Sequence, residues 1–354
     1  MTEQKTENRS AEIINNAGLD PVRQIIDAKA VLSPMAGVTD APFRIMARRR
    51  GCAFAFTEMI DVNGIVYNNR KTFTLMERRP EDSPLGIQIV GQDENKLLFT
   101  AKICEEKGFR LIDINAGCPA RKVIKAGKGS ALLKDPLKLG RIIGRLAKEV
   151  SVPVTVKIRS GWDEDNLNYL EVAKIAASEG ARAICVHPKT REQMYKGKAD
   201  HGIVREVREA VDIPVFASGN IFSPRDAADV LKNTGCDAVF VARGSLGRPW
   251  IFRDIKRVLS GEDAPADLSF GEIVDVIHEH FALCLNFYDE YSAVRKMYKH
   301  VTWYLKKFKG LNDVMRAYRK VAGYDSFREF LGGIRARDRH LVFEDSGPGP
   351  YMPC

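Results

Sequence analysis

The sequence predicts an α/β protein: an eight-stranded TIM, or (β/α)8, barrel followed by a small C-terminal helical domain. Eight short apolar or β-branched runs alternate with helical segments between residues 30 and 260, which is the rhythm of such a barrel. An open doubly wound sheet is the alternative, but its dinucleotide-binding fingerprint is missing. The pair Gly127 and Gly129 does not open a turn directly after a strand, and Leu132 stands where the third glycine would be.

The predicted strands are short, apolar and bounded by turn-forming residues. They are Ala30–Ser33, Phe54–Thr57, Leu85–Val90, Leu111–Asn115, Val154–Ile158, Ala183–His187, Pro214–Ser218 and Ala238–Ala242. The helices between them carry their own start and stop signals. One begins at Asp40, with Pro42 in its first turn, and ends at Gly51; others span Asp93–Lys107 and Asn166–Glu179.

The chain divides into three parts. Residues 1–24 form a polar N-terminal tail, residues 25–260 the barrel, and residues 268–354 the helical domain, with a linker at residues 261–267. Helical periodicity predicts four helices in the last part: Glu272–Tyr288, Ala293–Phe308, Asn312–Ala322 and Ser326–Gly332.

Composition excludes several classes of protein. Apolar residues make up 45% of the chain, yet no apolar run approaches the ~18 residues of a membrane span. The N-terminus lacks the apolar segment of a secretory signal. Seven scattered cysteines form no CxxC pair and no Cys/His cluster. We therefore expect a cytoplasmic protein whose cysteines are free thiols and which holds no metal ion.

Positive charge is concentrated in one region. The chain has a formal net charge of +9, and the segment from Tyr291 to Phe343 alone holds 13 Lys and Arg against 4 Asp and Glu. The rest of the chain is therefore neutral in sum. An excess confined to the C-terminal helices predicts a polyanionic partner that docks on that part of the molecule.

A single cysteine stands at the point where the fourth predicted strand ends. After Leu111–Asn115 the chain breaks at Gly117 and Pro119, which places Cys118 in a loop. A lone cysteine is most often a structural, buried thiol. With an ordinary pKa of about 8.5, however, a thiol is mostly protonated at neutral pH and can serve as a proton donor.

Other polar residues follow the ends of successive strands, where the active site of such a barrel lies. Taken singly, each has an ordinary structural explanation; their arrangement at consecutive strand ends indicates one site. The set comprises Pro34, Met35 and Ala36 after strand 1, Gln88 in strand 3, Asn115 and Cys118 at strand 4, Lys157 and Arg159 at strand 5, His187 and Arg191 at strand 6, Ser218, Gly219 and Asn220 at strand 7, and Ala242, Arg243 and Gly244 at strand 8.

These motifs resemble those of the tRNA-dihydrouridine synthases, and in particular the bacterial B-type branch. The matching stretches are Pro34-Met-Ala-Gly-Val-Thr-Asp40, Asn115-x-Gly-Cys-Pro119, Lys157-Ile-Arg-Ser-Gly-Trp162, His187 with Thr190-Arg191, Ala217-Ser-Gly-Asn-Ile221, Gly247-Arg-Pro-Trp250 and Lys299-His-Val-x-Trp-Tyr304. They occur in family order over roughly residues 30–310. Two departures are Ala242 before Arg243, where relatives often have glycine, and Pro188 after His187.

The resemblance implies an FMN-dependent oxidoreductase that reduces the C5=C6 bond of specific uridines in tRNA, with NADPH as reductant and Cys118 as proton donor. It implies a flavin site made of Pro34, Met35, Ala36, Gln88, Lys157, His187, Ser218, Gly219, Asn220, Ala242, Arg243 and Gly244. The residues expected to contact RNA are Asn115, Arg121, Arg159, Arg191, Arg295, Lys299, Lys306 and Lys307. We expect a monomer.

Two other functions stay open at this point. One is a flavin barrel that acts on a free pyrimidine, as dihydroorotate and dihydropyrimidine oxidoreductases do; the basic helices argue against it, because a small substrate needs no such surface. The other is a non-catalytic RNA-binding protein on a barrel scaffold, against which Cys118 and Lys157 argue. The sequence does not indicate which uridine is reduced.

Overall fold

The computed structural model describes residues 20–308 and 310–336 of the chain. Its eight strands are β1 Ala30–Leu32, β2 Ala55–Asp61, β3 Leu85–Val90, β4 Ile112–Ala116, β5 Val154–Arg159, β6 Ala183–His187, β7 Val215–Ser218 and β8 Ala238–Val241. All pair in parallel with their sequence neighbours, and β1 also pairs with β8, which closes the sheet. The predicted TIM barrel is confirmed. Strand β2 extends beyond its predicted end at Thr57, past a register shift between Phe56 and Met59.

Fifteen α-helices surround or follow the barrel within the described residues. They are α1 Pro21–Ala28, α2 Ala41–Arg48, α3 Val62–Val66, α4 Arg70–Thr74, α5 Glu94–Glu106, α6 Arg121–Lys125, α7 Pro136–Glu149, α8 Tyr169–Ser178, α9 Gly202–Ala210, α10 Pro224–Thr234, α11 Ile251–Leu259, α12 Phe270–Leu285, α13 Glu290–Tyr304, α14 Leu311–Tyr318 and α15 Tyr324–Arg335. None of these described helices combines the length and the apolarity needed to cross a membrane.

The amino-terminal end of the barrel is covered by α1. Asp20 caps this helix by accepting a hydrogen bond from the Val22 amide, and Pro21 suits its first turn. Val22 and Ile25 are buried in a cluster with phenylalanines of the barrel interior. Residues 21–24, which the sequence assigned to the polar tail, therefore belong to helix α1, because the side chain of Val22 packs into this cluster. Residues 1–19 of that tail lie outside the described part.

The C-terminal helices have a core of their own that extends into the barrel. Helices α12 to α15 bury a cluster of aromatic and aliphatic side chains, and Ile45, Met46 and Trp250 of the barrel are members of the same cluster. Gly247 has a φ of +68°, and a Cβ at this position would lie 2.2 Å from the Trp303 carbonyl oxygen. The chain of the barrel thus touches the backbone of α13 directly. Residues 337–354 of the predicted helical domain lie outside the described part.

Polar contacts join α13 to the loop after β1. The Lys296 ammonium lies 3.2 Å from a carboxylate oxygen of Asp40, and the Tyr288 hydroxyl donates to the same oxygen at 3.1 Å. Lys299 donates to the Gly37 carbonyl oxygen, and the Glu58 carboxylate accepts from the Gly37 amide. Because this loop leads directly from β1 towards the centre of the barrel mouth, the helical domain supports one wall of the site described next.

Candidate active site

A pocket opens at the carboxyl ends of the strands, as the barrel architecture predicts. It collects nearly all the residues that the sequence singled out, together with others. Its lining comprises Ser33, Pro34, Met35, Ala36, Met59, Gln88, Asn115, Gly117, Cys118, Pro119, Lys157, Arg159, His187, Tyr195, Ser218, Gly219, Asn220, Ile221, Phe222, Phe240, Ala242 and Arg243. Gly244 is not part of this lining. A Cβ there would lie 2.2 Å from the Ile221 carbonyl oxygen, so Gly244 allows two loops to approach closely.

One end of the pocket concentrates positive charge around an imidazole. His187 is half-buried with its Nε2 atom shielded from solvent, and its pKa lies well below the usual value because burial disfavours the imidazolium and because Arg159, Lys157, Lys189 and Arg243 are nearby. Burial and the charges of Arg243 and Arg159 likewise lower the pKa of Lys189 to about 8. A neutral histidine among four cationic side chains forms an environment that favours an anion.

Unpaired polar atoms occupy the same end. The Nε2 atom of His187 and the Oδ1 atom of Asn220 are buried and have no hydrogen-bond partner among the described residues. Gly219 has a φ of +101°, and a Cβ at this position would lie 2.7 Å from Cδ2 of His187. Glycine therefore leaves room for the imidazole and exposes the backbone to a ligand. Because buried polar groups without partners are costly in a folded protein, this end fits a ligand: the Nε2 atom of His187 can donate to an anion in one tautomer, and the Oδ1 atom of Asn220 can accept from a hydroxyl group.

Lys157 lies between the charged end and the middle of the pocket. Its ammonium donates to Oγ of Ser218 at 2.8 Å. The parallel register sets Lys157 beside Asn115 on β4 and beside Cys185 on β6. A positioned ammonium at this depth can stabilise negative charge on a flat, conjugated ring.

The opposite end of the pocket presents two amide groups, which hydrogen-bond to each other and to a buried carboxylate behind them. The side chain of Gln88 is almost fully buried, and its amide nitrogen donates to Oδ2 of Asp113 at 2.7 Å. Its amide oxygen accepts from Nδ2 of Asn115, also at 2.7 Å. Burial raises the pKa of Asp113 to about 6, opposed by its hydrogen bonds from Gln88 and Thr155. The carboxylate is therefore mostly ionised at neutral pH.

Cys118 is held from both sides in the turn after β4. Its amide donates to Oδ1 of Asn115 at 2.9 Å, and its carbonyl oxygen accepts from the amide and the hydroxyl of Ser130, at 3.1 and 2.9 Å. Gly129 has a φ of +61°, and a Cβ there would lie 2.8 Å from the Cys118 carbonyl oxygen. Burial raises the pKa of the Cys118 thiol. The thiol thus stays protonated at neutral pH, as a proton donor requires.

The predicted RNA contacts separate into pocket, rim and helical domain. Asn115 lines the pocket, Arg121 is exposed on α6, and the Arg191 guanidinium lies 4.5 Å from the centroid of the Trp162 ring. Arg295 is exposed on α13, where it donates to the Tyr291 hydroxyl at 2.8 Å.

Two predicted RNA contacts have partners within the protein, and a third is half-buried. The Lys299 ammonium faces the Gly37 carbonyl, and the Lys307 ammonium lies 2.6 Å from a carboxylate oxygen of Asp267. Lys306 is half-buried, and burial lowers its pKa. Lys307 is still exposed, so its pairing leaves it accessible to a phosphate.

Arg159 is placed differently from the prediction. We expected it at the rim, yet only 1% of its surface is exposed. Its guanidinium donates to the carbonyl oxygens of Gly117, Thr190 and Met194 at 2.7, 2.9 and 2.8 Å. The sequence shows a basic residue at a strand end but not the three carbonyls that enclose it. Its position favours a role in holding the loops after β4 and β6.

The sequence reasoning missed several residues of the pocket region. Met59 and Tyr195 line it, and Phe240 forms part of its floor. Lys189 is buried and donates to the carbonyl oxygens of Lys196 and Gly197 at 3.1 and 2.6 Å, which folds the loop after β6 over the site. Tyr195 lies in that loop, eight residues after His187 in the sequence, and carries no local signal that would single it out. Among the described residues, no group of three or more His, Cys, Asp or Glu side chains is arranged to hold a metal ion.

Comparisons with known proteins agree with the site geometry. The profile of the dihydrouridine synthase (Dus) family matches residues 31–334. The chain belongs to the dihydrouridine synthase family. The resemblance found in the sequence is confirmed, and with it a flavin-dependent oxidoreductase. This dihydrouridine synthase is 41% identical to "tRNA-dihydrouridine synthase B" of Pseudomonas aeruginosa over 308 residues, which are 86% of this chain and 92% of that protein.

Other relatives place the chain in the same family. It is 38% identical over 303 residues to "tRNA-dihydrouridine synthase B" of Vibrio cholerae, covering 86% of this chain and 94% of the relative. Among solved structures, histamine dehydrogenase from Rhizobium sp. 4-9 superposes with a TM-score of 0.53 at 14% identity, over 72% of this chain and 49% of that one. That likeness concerns the fold of the dihydrouridine synthase alone.

Proposed function

We propose that this dihydrouridine synthase reduces specific uridines of tRNA to 5,6-dihydrouridine, with FMN as cofactor and NADPH as reductant. The observation that carries the proposal is one pocket that combines a cationic end, an internally bonded amide end and a protonated thiol. A tRNA substrate also agrees with the excess of positive charge in the C-terminal helices, and we propose in addition that the protein is cytoplasmic and monomeric.

The cationic end is where the phosphate of FMN would bind. Arg243 and Lys189 supply positive charge, the Nε2 atom of His187 can donate to a phosphate oxygen, and Gly219 leaves its backbone accessible, while the Oδ1 atom of Asn220 can accept from a hydroxyl group of the flavin side chain. Charge-assisted hydrogen bonds to a phosphate are about twice as strong as neutral ones. Lys157 would lie along the polar edge of the ring system, with Pro34, Met35 and Ala36 against its face.

The chemistry follows from the conjugation of the uracil C5=C6 bond with the C4 carbonyl. When bound, the reduced flavin supplies a hydride to C6. The enolate that results must receive a proton at C5, and Cys118 is the acid that we assign to this step. Its raised pKa keeps the proton on Sγ until the enolate forms. Asn115 lines the same part of the pocket and is suited to bind a carbonyl of the base.

The base has to leave its stack in the folded RNA to reach this depth, which costs a few kcal/mol. Phosphate contacts along the exposed basic residues of α13 and of the loop after β4 would offset that cost. Arg295 and Arg121 are the exposed members of those two groups.

Mapping dihydrouridine in tRNA tests the proposal. We expect dihydrouridine to disappear from at least one position when the gene is deleted and to return when it is restored. A gene encoding Cys118→Ala should fail to restore it. A tRNA pool that keeps every dihydrouridine after deletion contradicts the proposed function, provided that no second synthase is present in the strain used.

The cofactor is tested separately by releasing it from the purified protein. Mass spectrometry should find FMN in a near-equal ratio to the protein. Reduction of free uridine at the same rate as tRNA would favour a pyrimidine oxidoreductase instead.

A further inference from the structure

A continuous series of side-chain hydrogen bonds runs from β5 to the turn that carries Cys118. Thr155 donates to Oδ1 of Asp113, and Gln88 donates to Oδ2 of Asp113, both at 2.7 Å. Asn115 donates to the amide oxygen of Gln88 at 2.7 Å. The Oδ1 atom of Asn115 then accepts from the amides of Gly117 and Cys118 at 3.2 and 2.9 Å. The series starts from groups that the strand register places side by side.

The direction of every bond in this series is fixed from both ends. The backbone amides of Gly117 and Cys118 can only donate, so Asn115 must turn its oxygen towards them and its nitrogen towards Gln88. Gln88 must then meet Asn115 with its oxygen and point its own nitrogen at the next group. That group has to be an acceptor. An ionised carboxylate is an acceptor at every oxygen, and Asp113 supplies one at 2% exposure.

We propose that Asp113 is a positioning residue, which orients the amides of Gln88 and Asn115 and thereby holds the turn that presents Cys118. The inference rests on the proposed role of Cys118 and adds the reason why its turn has one conformation. Asp113 itself touches neither the pocket nor the thiol. It acts through these two amides, by accepting the hydrogen bond at the one end of the series that the backbone amides do not fix.

The same orientation determines what the pocket offers to a ligand. Each amide nitrogen has two hydrogens and uses one of them in the series. Both Gln88 and Asn115 line the pocket, so the remaining hydrogens are donors for carbonyl oxygens of a flavin or a pyrimidine. A reversed series would present oxygens there and would repel the same carbonyls.

Moving the carboxylate from one end of the series to the other tests this inference. In Asn115→Asp, the new carboxylate accepts from the Cys118 amide but cannot donate to Gln88. Gln88 then lies between two carboxylates, but only its amide nitrogen can donate. Its amide oxygen must therefore face an oxygen of one of them. The turn should loosen. In the double variant Asp113→Asn, Asn115→Asp, the amide of residue 113 donates to Gln88 and Gln88 donates to the carboxylate at 115, so that both bonds of Gln88 run in reverse.

The readout is alkylation of Cys118 by iodoacetamide in the purified, flavin-loaded protein, followed peptide by peptide. The other five cysteines within the described residues are buried, and Cys354 lies on a separate peptide. Asn115→Asp should raise the alkylation rate about tenfold, which corresponds to a loosening of about 1.4 kcal/mol. The double variant should return to within about threefold of the native rate. Asp113→Asn alone should stay near native, since its oxygen can accept from Gln88 and its nitrogen can donate to Thr155.

A control separates orientation from net charge, because Asp113→Asn also removes a buried charge. In a Gln88→Met background no amide connects the two positions, so the Asn115→Asp protein should be alkylated at the same rate with and without Asp113→Asn. Rescue that persists without the Gln88 amide would mean charge compensation and would overturn the inference. A double variant that alkylates like Asn115→Asp, or that does not fold, would overturn it too. Thiol reactivity does not depend on turnover, so either failure leaves the proposed reaction to be judged by dihydrouridine mapping.

Discussion

The two ends of the pocket are polar for opposite reasons. At the end near β6 to β8, Lys189, Arg243 and Lys157 surround a histidine whose pKa is lowered well below its usual value, and two buried polar atoms lack partners. At the end near β3 and β4, Asp113, Gln88 and Asn115 satisfy one another at 2.7 Å. The first end is incomplete without an anion. The second is complete without a ligand and therefore keeps its geometry between turnovers.

This difference indicates how one pocket can both bind and react. Unbalanced charge binds a phosphate strongly but tolerates small displacements, because Coulomb attraction changes slowly with distance. A closed hydrogen-bond series supplies little binding energy but fixes directions. We therefore expect mutations at the cationic end to change affinity, and mutations at the amide end to change the proton-transfer step.

Removing the thiol should have the largest effect at the amide end. Cys118→Ala should keep FMN, RNA binding and flavin reduction, yet slow reoxidation of the reduced enzyme by tRNA by ~10²–10⁴-fold, the usual contribution of general acid catalysis. Single-turnover reoxidation measures it. Cys104→Ala, at a buried cysteine of α5, is the matched control and should lower stability without slowing reoxidation. Reoxidation of Cys118→Ala at the native rate would mean that another group is the acid.

Removing a cation should affect the other end through binding alone. Arg243→Met should weaken FMN binding by ~10–100-fold, since a charge-assisted hydrogen bond contributes about 1.5–3 kcal/mol. Riboflavin, which lacks the phosphate, should lose much less affinity. Fluorescence titration of the flavin-free protein with both ligands makes the comparison. Equal losses for the two flavins would place the phosphate elsewhere.

The basic helices should add a smaller effect that depends on salt. Arg295→Met removes an exposed guanidinium from α13, and the slope of log affinity for tRNA against log salt should become shallower by about one. Arg23→Met, on α1 at the far end of the barrel, removes an equally exposed arginine and should leave the slope unchanged. If both variants behave alike, the RNA surface lies away from α13.

The pH dependence of reoxidation should be the smallest effect near neutrality. A proton donor works only while it is protonated, and burial raises the pKa of Cys118. The rate should therefore be level through neutral pH and decline only as the pH rises through that raised pKa. A single-turnover pH profile at saturating tRNA measures this. A rate that increases across the neutral range would indicate a reactive thiolate instead of an acid.

The sequence predicted the barrel and much of the pocket because both depend on local patterns. Strands β3 and β6 have the predicted bounds, and the other strands begin and end within a few residues of theirs. Gln88, Lys157 and His187 were identifiable because they stand at strand ends.

Other features depend on which strands become neighbours. No local pattern singles out Asp113, which the strand register sets between Gln88 and Thr155. Arg159 looked like a rim cation, since no sequence pattern shows the three carbonyls that bury it. Long-range pairing, which no local pattern encodes, decides such cases.

The phenylalanines beneath the pocket have a consequence for the order of events in catalysis. Phe240 lines the pocket, and its ring centroid lies 5.2 Å from that of Phe56 and 5.3 Å from that of Phe216. Helix α1 packs against this cluster from the other side. The barrel is therefore plugged, and under the proposed function a nicotinamide and a uracil would both approach the flavin through the same mouth. The reductant and the RNA would then bind alternately. Double-reciprocal plots of the initial rate should show parallel lines, and excess tRNA should inhibit by competing with the nicotinamide.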